Sequence, residues 1–424
     1  MIEKLFKQLN QSKTAYHAVD CAAAELEAAG FTRLDESSKW NLSKHGKYYV
    51  VRDGSALVAF RIGGEQYSYA IAASHTDSPC FKIKLNCETP SAGCMRACVE
   101  RYGGGLLYSW LDTPLNLAGR VVCESDGVIT AKNVVLDELF VIPSLAIHLN
   151  RSANDGLKLN PQVDMQILSA LGGEAKLTAA LEQKTGAKVL DYDLYAVCAE
   201  KPFIFGFDGA FACAPRVDNL ASAFASVNAI IDCQPNSIPV IYLADNEEVG
   251  SRTKQGAGST LLKDVITRIN LALSKTEEEL AVALSKSFMA SCDNSHATHP
   301  NHPELSDPAN KTPLGSGVVI KHHANQNYTT DAMSSAIVKH LFDKAGVKHA
   351  DFFMRSDLPC GGTLGAISSS QLSIRSVDIG MPQLAMHSSR ETFAVSDYAE
   401  YVSGITAILS AGFDSTAHDN VIIK

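Results

Sequence analysis

Tyr69-Ala70-Ile71-Ala72-Ala73-Ser74-His75-Thr76-Asp77-Ser78-Pro79 is an apolar run that breaks abruptly into polar residues. A buried strand ends this way when it delivers functional side chains to the edge of a sheet. Upstream, residues 48–62 give two β-rich runs around Asp53-Gly54, a hairpin signal. Residues 16–29 place apolar side chains at helical spacing before Gly30. Downstream the same logic recurs. Helical spacing over 220–231 precedes a strand at 239–244, which opens into Asp245-Asn246-Glu247-Glu248. A helix at 260–271 precedes a strand at 287–290 and then Ser291-Cys292-Asp293. Residues 318–321 and 375–379 read as strands, 331–345 and 396–411 as helices, and Ala385-Met386-His387 follows the last strand. Strands alternating with helices specify an α/β fold, a sheet layered by helices.

Residues 81–214 read differently. Short β-like runs at 106–110, 119–124, 127–130 and 193–197 are separated by Gly and Pro, with one helical piece near 176–185. The expectation is a β-rich insertion at 81–214 within a discontinuous α/β domain made of 1–80 and 215–424. A length of 424 residues is enough for two or three domains. The balance of 37 Lys+Arg against 46 Asp+Glu leaves a formal charge of −9. That argues against nucleic acid and anionic membranes as partners, because phosphates call for a basic face. No run approaches the roughly 18 apolar residues of a membrane span, and residues 1–7 lack the apolar run of a signal peptide. The 11 cysteines are odd in number and form no C-x-x-C pair, as expected of buried, reduced thiols in a cytoplasmic protein.

Metal-binding residue types recur at the strand ends: His75 with Asp77, Asp218, Glu247 with Glu248, Asp293 with His296 and His299, and His387. Singly, each has a plainer reading; Asp218, for example, would serve as the N-cap of the helix that follows. Jointly they would converge on one edge of the sheet. Two His and three carboxylates suit a pair of divalent ions with one bridging carboxylate. The adjacent acids Glu247-Glu248 let one carboxylate face metal while the other takes a proton from water. His75-Thr76-Asp77 has the spacing for Asp77 to hold the imidazole by its second nitrogen. Competing motifs carry less. Gly103-Gly104-Gly105 lacks the helix opening and Lys of a phosphate loop, no G-x-S-x-G is present, and nothing near Cys360 in sequence supplies a base.

The segments around these residues stand in a recognisable order. After Ser74-His75-Thr76-Asp77-Ser78-Pro79 come Arg216-Val217-Asp218-Asn219-Leu220 and Asn246-Glu247-Glu248-Val249-Gly250-Ser251. Ser291-Cys292-Asp293-Asn294-Ser295-His296-Ala297-Thr298-His299-Pro300-Asn301 and Ala385-Met386-His387-Ser388-Ser389-Arg390-Glu391 complete the set. In this order the chain resembles the M18 metalloaminopeptidases, the aspartyl aminopeptidase family, through essentially its whole length, including Ala146-Ile147-His148-Leu149-Asn150-Arg151. E-E-V-G alone would also fit the related M42 aminopeptidases.

The resemblance implies a three-layer sandwich catalytic domain of the phosphorylase/hydrolase-like, zinc-peptidase type, interrupted by a dimerisation domain. It implies two divalent ions per subunit, zinc with manganese or cobalt as alternatives. His75, Asp218 and Asp293 would hold one ion, and Asp218 would bridge to a second completed by Glu248 and His387. Glu247 would be the general base, with Asp77 as its catalytic companion behind His75. Lys321, Tyr328 and His296 match residues that contact substrate, Lys321 by holding an acidic side chain. His148 matches a histidine that reaches into a neighbouring subunit's site. The implied assembly is a dimer-based tetrahedral dodecamer acting on peptides. Two positions depart from the pattern: Ser144 stands where animal relatives often carry another His, and Asn294-Ser295 replaces a more apolar pair. Two other readings stand beside an Asp/Glu aminopeptidase: a neutral-preferring aminopeptidase and a non-catalytic, metal-stabilised assembly protein. The intact set of Glu247 and five ligands weighs against the second.

Overall fold

The computed structural model describes residues 1–172, 174, 176–417 and 420–424. At its centre is a nine-stranded sheet. In spatial order its strands are Thr32–Arg33, Lys47–Arg52, Ala56–Arg61, Ile238–Ala244, Tyr69–His75, Phe288–Cys292, Arg375–Gly380, Val318–His322 and His349–Phe353. The four strands from Ile238–Ala244 to Arg375–Gly380 run parallel, so their C-terminal ends share one edge.

Alternation along the strands sorts side chains between two layers of helices. Ala70 and Ala72 pack with Leu220, Phe224 and Ile405, whereas Tyr69, Ile71 and Ala73 pack with Leu261, Val265 and Ile269. One face is covered by Ile2–Gln11, Ala15–Ala28, Val217–Asp232, Ala332–Ala345 and Val395–Ser410. The other is covered by Leu261–Ala272, Glu277–Ser285 and Leu364–Leu372. The result is a three-layer α/β sandwich. Elements that had not been read from the sequence include Glu277–Ser285, His349–Phe353 and Leu364–Leu372, and also the N-terminal helix Ile2–Gln11 and the short strand Thr32–Arg33. The first carries a Thr276–Glu279 capping box, a start signal visible in the sequence. Its apolar face is thin, with Ala283 its one buried residue.

Between Cys80 and Cys198 the chain builds a second, six-stranded sheet with its own core, which includes Phe81, Val99, Trp110, Leu117 and Leu194. Gly119 is required there: a Cβ would lie 2.0 Å from the Asp193 carbonyl oxygen on the paired strand. Residues 106–110, read as β-like, are instead the 3₁₀ helix Leu107–Trp110. So short an apolar run does not reveal its period, and Trp110 is fixed edge-on against Phe81 at 5.3 Å between ring centres. Phe203–Phe205 and Phe211–Ala214 join a five-stranded sheet with Glu391–Ala394, Pro382–Leu384 and Ser295–His296. All 11 cysteines are free, and among the described residues no helix is long and apolar enough to cross a membrane.

Candidate metal centre

Parallel strands gather the candidate ligands. His75 ends the Tyr69–His75 strand and Asp293 follows Phe288–Cys292. Glu247 and Glu248 form a 3₁₀ turn just beyond Ile238–Ala244. Asp218 lies in the first turn of Val217–Asp232 with non-helical φ −83° and ψ 108°, the N-cap position is Arg216, and Asp218 Oδ1 caps no backbone N–H. The plainer N-cap reading is therefore replaced by another role. The Asp218–Asn219 peptide bond is cis. His387 enters from the loop between Pro382–Leu384 and Glu391–Ala394.

The two oxygens of Asp218 face two different imidazoles. Oδ1 lies 3.6 Å from His75 Nε2 and Oδ2 lies 3.5 Å from His387 Nε2. His75 Nε2 is also 3.6 Å from Asp293 Oδ1, and His387 Nε2 is 3.4 Å from Glu248 Oε1. Glu247 Oε2 stands 4.0 Å from His75 Nε2. Among the described residues, candidate ligand atoms meet in three groups: His75, Asp218 and Asp293; Asp218, Glu248 and His387; and His75, Glu247 and Glu248. These gaps are too long for hydrogen bonds. They match the edge of roughly 3.4 Å expected between N and O ligands about 2.1 Å from a tetrahedral ion. Asp218 Oδ1 is buried without a hydrogen-bond partner, as a ligand oxygen would be. The donor set, imidazole and carboxylate, fits divalent zinc, manganese or cobalt, and the arrangement is a candidate two-metal site.

The far side of each imidazole is held. His75 Nδ1 lies 3.1 Å from the Asp77 carbonyl oxygen and 3.2 Å from Asp77 Oδ1. His387 Nδ1 lies 3.2 Å from the Gly104 carbonyl oxygen. Both partners fix the tautomer that presents Nε2 to the cluster. The run Gly103-Gly104-Gly105 thus forms a wall of the centre rather than a phosphate loop. A Cβ at Gly103 would come within 3.1 Å of Glu248 Cβ, and one at Gly104 within 3.4 Å of His387 Nδ1.

Charge is concentrated here in a low-dielectric setting. Burial raises the Glu247 carboxyl to about 7 against the pull of His75, with Asp293 and Asp77 adding to the rise. Burial and then Asp218 hold Glu248 well above the carboxylate range. For His387, burial favours the neutral form, yet contact with Asp218 and the charge of Glu248 lift it to about 10. His75 is raised as well, because Asp293 and Asp77 outweigh burial. Asp293 is lowered despite burial, first by Lys321 and then by His75. Carboxyls outnumber imidazoles here, so displacing the protons these raised groups hold leaves a negative cluster complementary to cations.

Lys321 is 2% exposed. Its ammonium lies 3.5 Å from Asp293 Oδ2, donates to the Asn294 carbonyl oxygen at 3.2 Å, and stands 5.0 Å over the Tyr328 ring. His296 lies on the short Ser295–His296 strand, within electrostatic reach of Lys321, Asp218 and His387. His148 sits on an exposed turn and, among the described residues, belongs to none of the ligand groups. Cys360 packs by the Val319, Tyr328 and Phe352 cluster. Sequence reasoning missed two supports. Tyr102 donates its hydroxyl to Asp77 Oδ2 at 2.7 Å, and buried Glu391 accepts backbone N–H groups behind the ligands. Asn294, a departure from the resembled pattern, is buried and hydrogen-bonded through its amide.

Residues 8–407 match the family described as aminopeptidase I zinc metalloprotease (M18). The probable M18 family aminopeptidase 2 of Clostridium novyi (strain NT) is 40% identical over 411 residues, covering 93% of this chain and 95% of its own. Among solved structures, a chain of the cryo-EM structure of the Ape4 and Nbr1 complex superposes with a TM-score of 0.91. It is 32% identical, over 96% of this chain and 85% of that one. A chain of the S. cerevisiae mApe1 dodecamer superposes with a TM-score of 0.83 at 28% identity, over 96% and 95%. The cluster and this homology together support metallopeptidase activity. Because every segment that builds the cluster lies within the matched region, this chain belongs to the M18 metalloaminopeptidases.

Proposed function

We propose that the chain removes the N-terminal residue of peptides, with preference for Asp or Glu. His75, Asp218 and Asp293 hold one ion, and Asp218, Glu248 and His387 hold the second. The observation that carries this reading is the division of the Asp218 oxygens between His75 and His387. Two divalent ions, zinc being the first choice, supply Lewis-acid polarisation of the scissile carbonyl and a lowered pKa for the attacking water. Glu247, beside the ligands and with a carboxyl raised to about 7 by burial, takes the water's proton and passes it to the leaving amine. Asp77 holds His75 in its working orientation. The acidic cluster also complements a protonated α-amine, which restricts cleavage to the chain terminus.

Lys321 supports the acidic preference. Its ammonium has three donors; one goes to the Asn294 carbonyl oxygen and Asp293 stands at ion-pair distance, which leaves donor capacity for a substrate carboxylate. Tyr328 and His296 would line the same subsite. The Lys321–Asp293 contact also favours a second reading, a neutral-preferring aminopeptidase, because it already satisfies part of that charge. Aminoacyl-anilides assayed with added Zn, Co or Mn separate the readings. Faster turnover of Asp than Leu substrates supports the acidic one, the reverse supports the neutral one, and no hydrolysis with any metal leaves an assembly protein.

Residues 81–214 would serve as a dimerisation insertion, with His148 reaching a neighbouring subunit's centre, and dimers would build a dodecamer. Supporting this, Leu145, Ile147 and Leu149 beside His148 are exposed, as are Phe203, Ile204, Phe205 and Phe207. Phe203–Phe205 is moreover an edge strand with a free side.

A further inference from the structure

Glu391 lies outside the ligand set yet touches it from behind, and its side chain is 1% exposed. Its Oε2 accepts the Asp218 backbone N–H at 2.9 Å, and its Oε1 accepts the His387 backbone N–H at 2.8 Å. Oε1 also accepts from Gln383 Nε2 at 3.2 Å. Gln383 Oε1 in turn accepts from Asn294 Nδ2 at 2.9 Å, and the same amide donates to the Val217 carbonyl oxygen at 2.8 Å. A buried chain of three side chains therefore runs Glu391–Gln383–Asn294 and returns to the residue before Asp218. It meets the backbone at or next to Asp218, Asp293 and His387.

We infer that Glu391 is a positioning residue for the two-ion centre, fixing Asp218 and His387 relative to each other through their backbone N–H groups. This rests on the two-ion reading above. Asp218 and Glu391 are 173 positions apart, so no local structure sets the spacing. A carboxylate is the group that suits the position. Each of its oxygens accepts one of the two opposed N–H donors, whereas an amide offers one acceptor oxygen and would turn an NH₂ towards a donor. Gln383 and Asn294 extend the hold to the loop that carries Asp293, so three ligand-bearing segments share one hydrogen-bonded frame. Partners of this kind typically shift metal affinity 10–100-fold, although they touch no ion.

The test is metal retention. Wild type and the variants Glu391→Gln, Gln383→Ala and Asn294→Ala are loaded with Zn²⁺ and equilibrated against chelators of graded strength. Bound metal per subunit is measured, and melting temperatures of the metal-stripped forms are recorded alongside. Wild type is expected to hold two ions. Glu391→Gln should lose one of them at a roughly 10–100-fold weaker competition, with Gln383→Ala and Asn294→Ala shifting the same ion by a smaller factor. Metal-stripped melting reports the general destabilisation of the two alanine variants, and positioning is read as a loss of metal affinity at temperatures where the stripped variants remain folded. If Glu391→Gln does not fold, those two variants decide the matter. Retention of both ions at wild-type affinity in every folded variant overturns the inference. A wild type that binds fewer than two ions overturns the two-ion reading and the inference together.

Discussion

Asp77 holds His75 from the side away from the ligand cluster: its Oδ1 lies 3.2 Å from His75 Nδ1. The same carboxylate accepts the backbone N–H groups of Glu247 and Glu248 at 3.1 Å each, and the Tyr102 hydroxyl at 2.7 Å. One buried side chain thus aligns the imidazole of a proposed ligand with the turn that carries the proposed base.

Asp77→Asn tests that alignment. Four donors converge on two oxygens, and an amide nitrogen accepts from none of them. The variant should lose about 10–100-fold in kcat/KM or metal affinity, read by kinetics and bound-metal content. Unchanged values for both would show that the contacts do not matter.

Lys321→Ala tests substrate choice. A charge-assisted hydrogen bond contributes about 1.5–3 kcal/mol, or roughly 10–150-fold. At saturating metal, the ratio of kcat/KM for Asp over Leu substrates should fall by about that factor. An unchanged ratio would remove Lys321 from substrate selection.

Proton competition should make metal binding pH-dependent. In the metal-free fold, contact with Asp218 and the charge of Glu248, working against burial, lift His387 to about 10. The unfolded chain loses that proton near 6.5. A raised pKa stabilises the metal-free fold fully below the unfolded value, and the effect is lost as pH rises through about 10. Between pH 6.5 and 10 the melting temperature of metal-stripped protein should therefore decline, while metal affinity rises. Calorimetry with and without chelator reads the gap, which should widen with pH. A constant gap contradicts the assignment of His387 as a ligand.

The exposed hairpin suggests a test of assembly. Phe205→Asp combined with Phe207→Asp should break the proposed dodecamer into smaller species whose protomers stay folded, because Phe207 is fully exposed and Phe205 lies on an edge strand outside the main cores. Mass measurement in solution reads this directly against a 45.4 kDa protomer. A double variant that assembles like wild type would remove the hairpin from the interface.

Much of the centre was legible because strands announce their ends. His75, Glu247, Glu248 and Asp293 follow apolar runs whose parallel pairing puts them on one edge. Asp218 and His387 were legible as residue types at segment boundaries, but their joint orientation was not. Glu391 and Tyr102 were hidden because their partners lie far away in sequence, backbone N–H groups for Glu391 and a carboxylate for Tyr102. Gly103 and Gly104 were hidden for a related reason, since the close approach that excludes a side chain exists only in the folded chain. Within residues 81–214, Leu107–Trp110 was misread because four residues fit either period.

Glu247→Gln is the most direct test of the proposed chemistry. Gln keeps the size of the side chain and removes its ability to take a proton, while the five proposed ligands are untouched. The variant should bind two ions per subunit, as wild type is expected to, and lose about 10²–10⁴-fold in kcat. Full metal occupancy with wild-type turnover would contradict the assignment of Glu247 as the base.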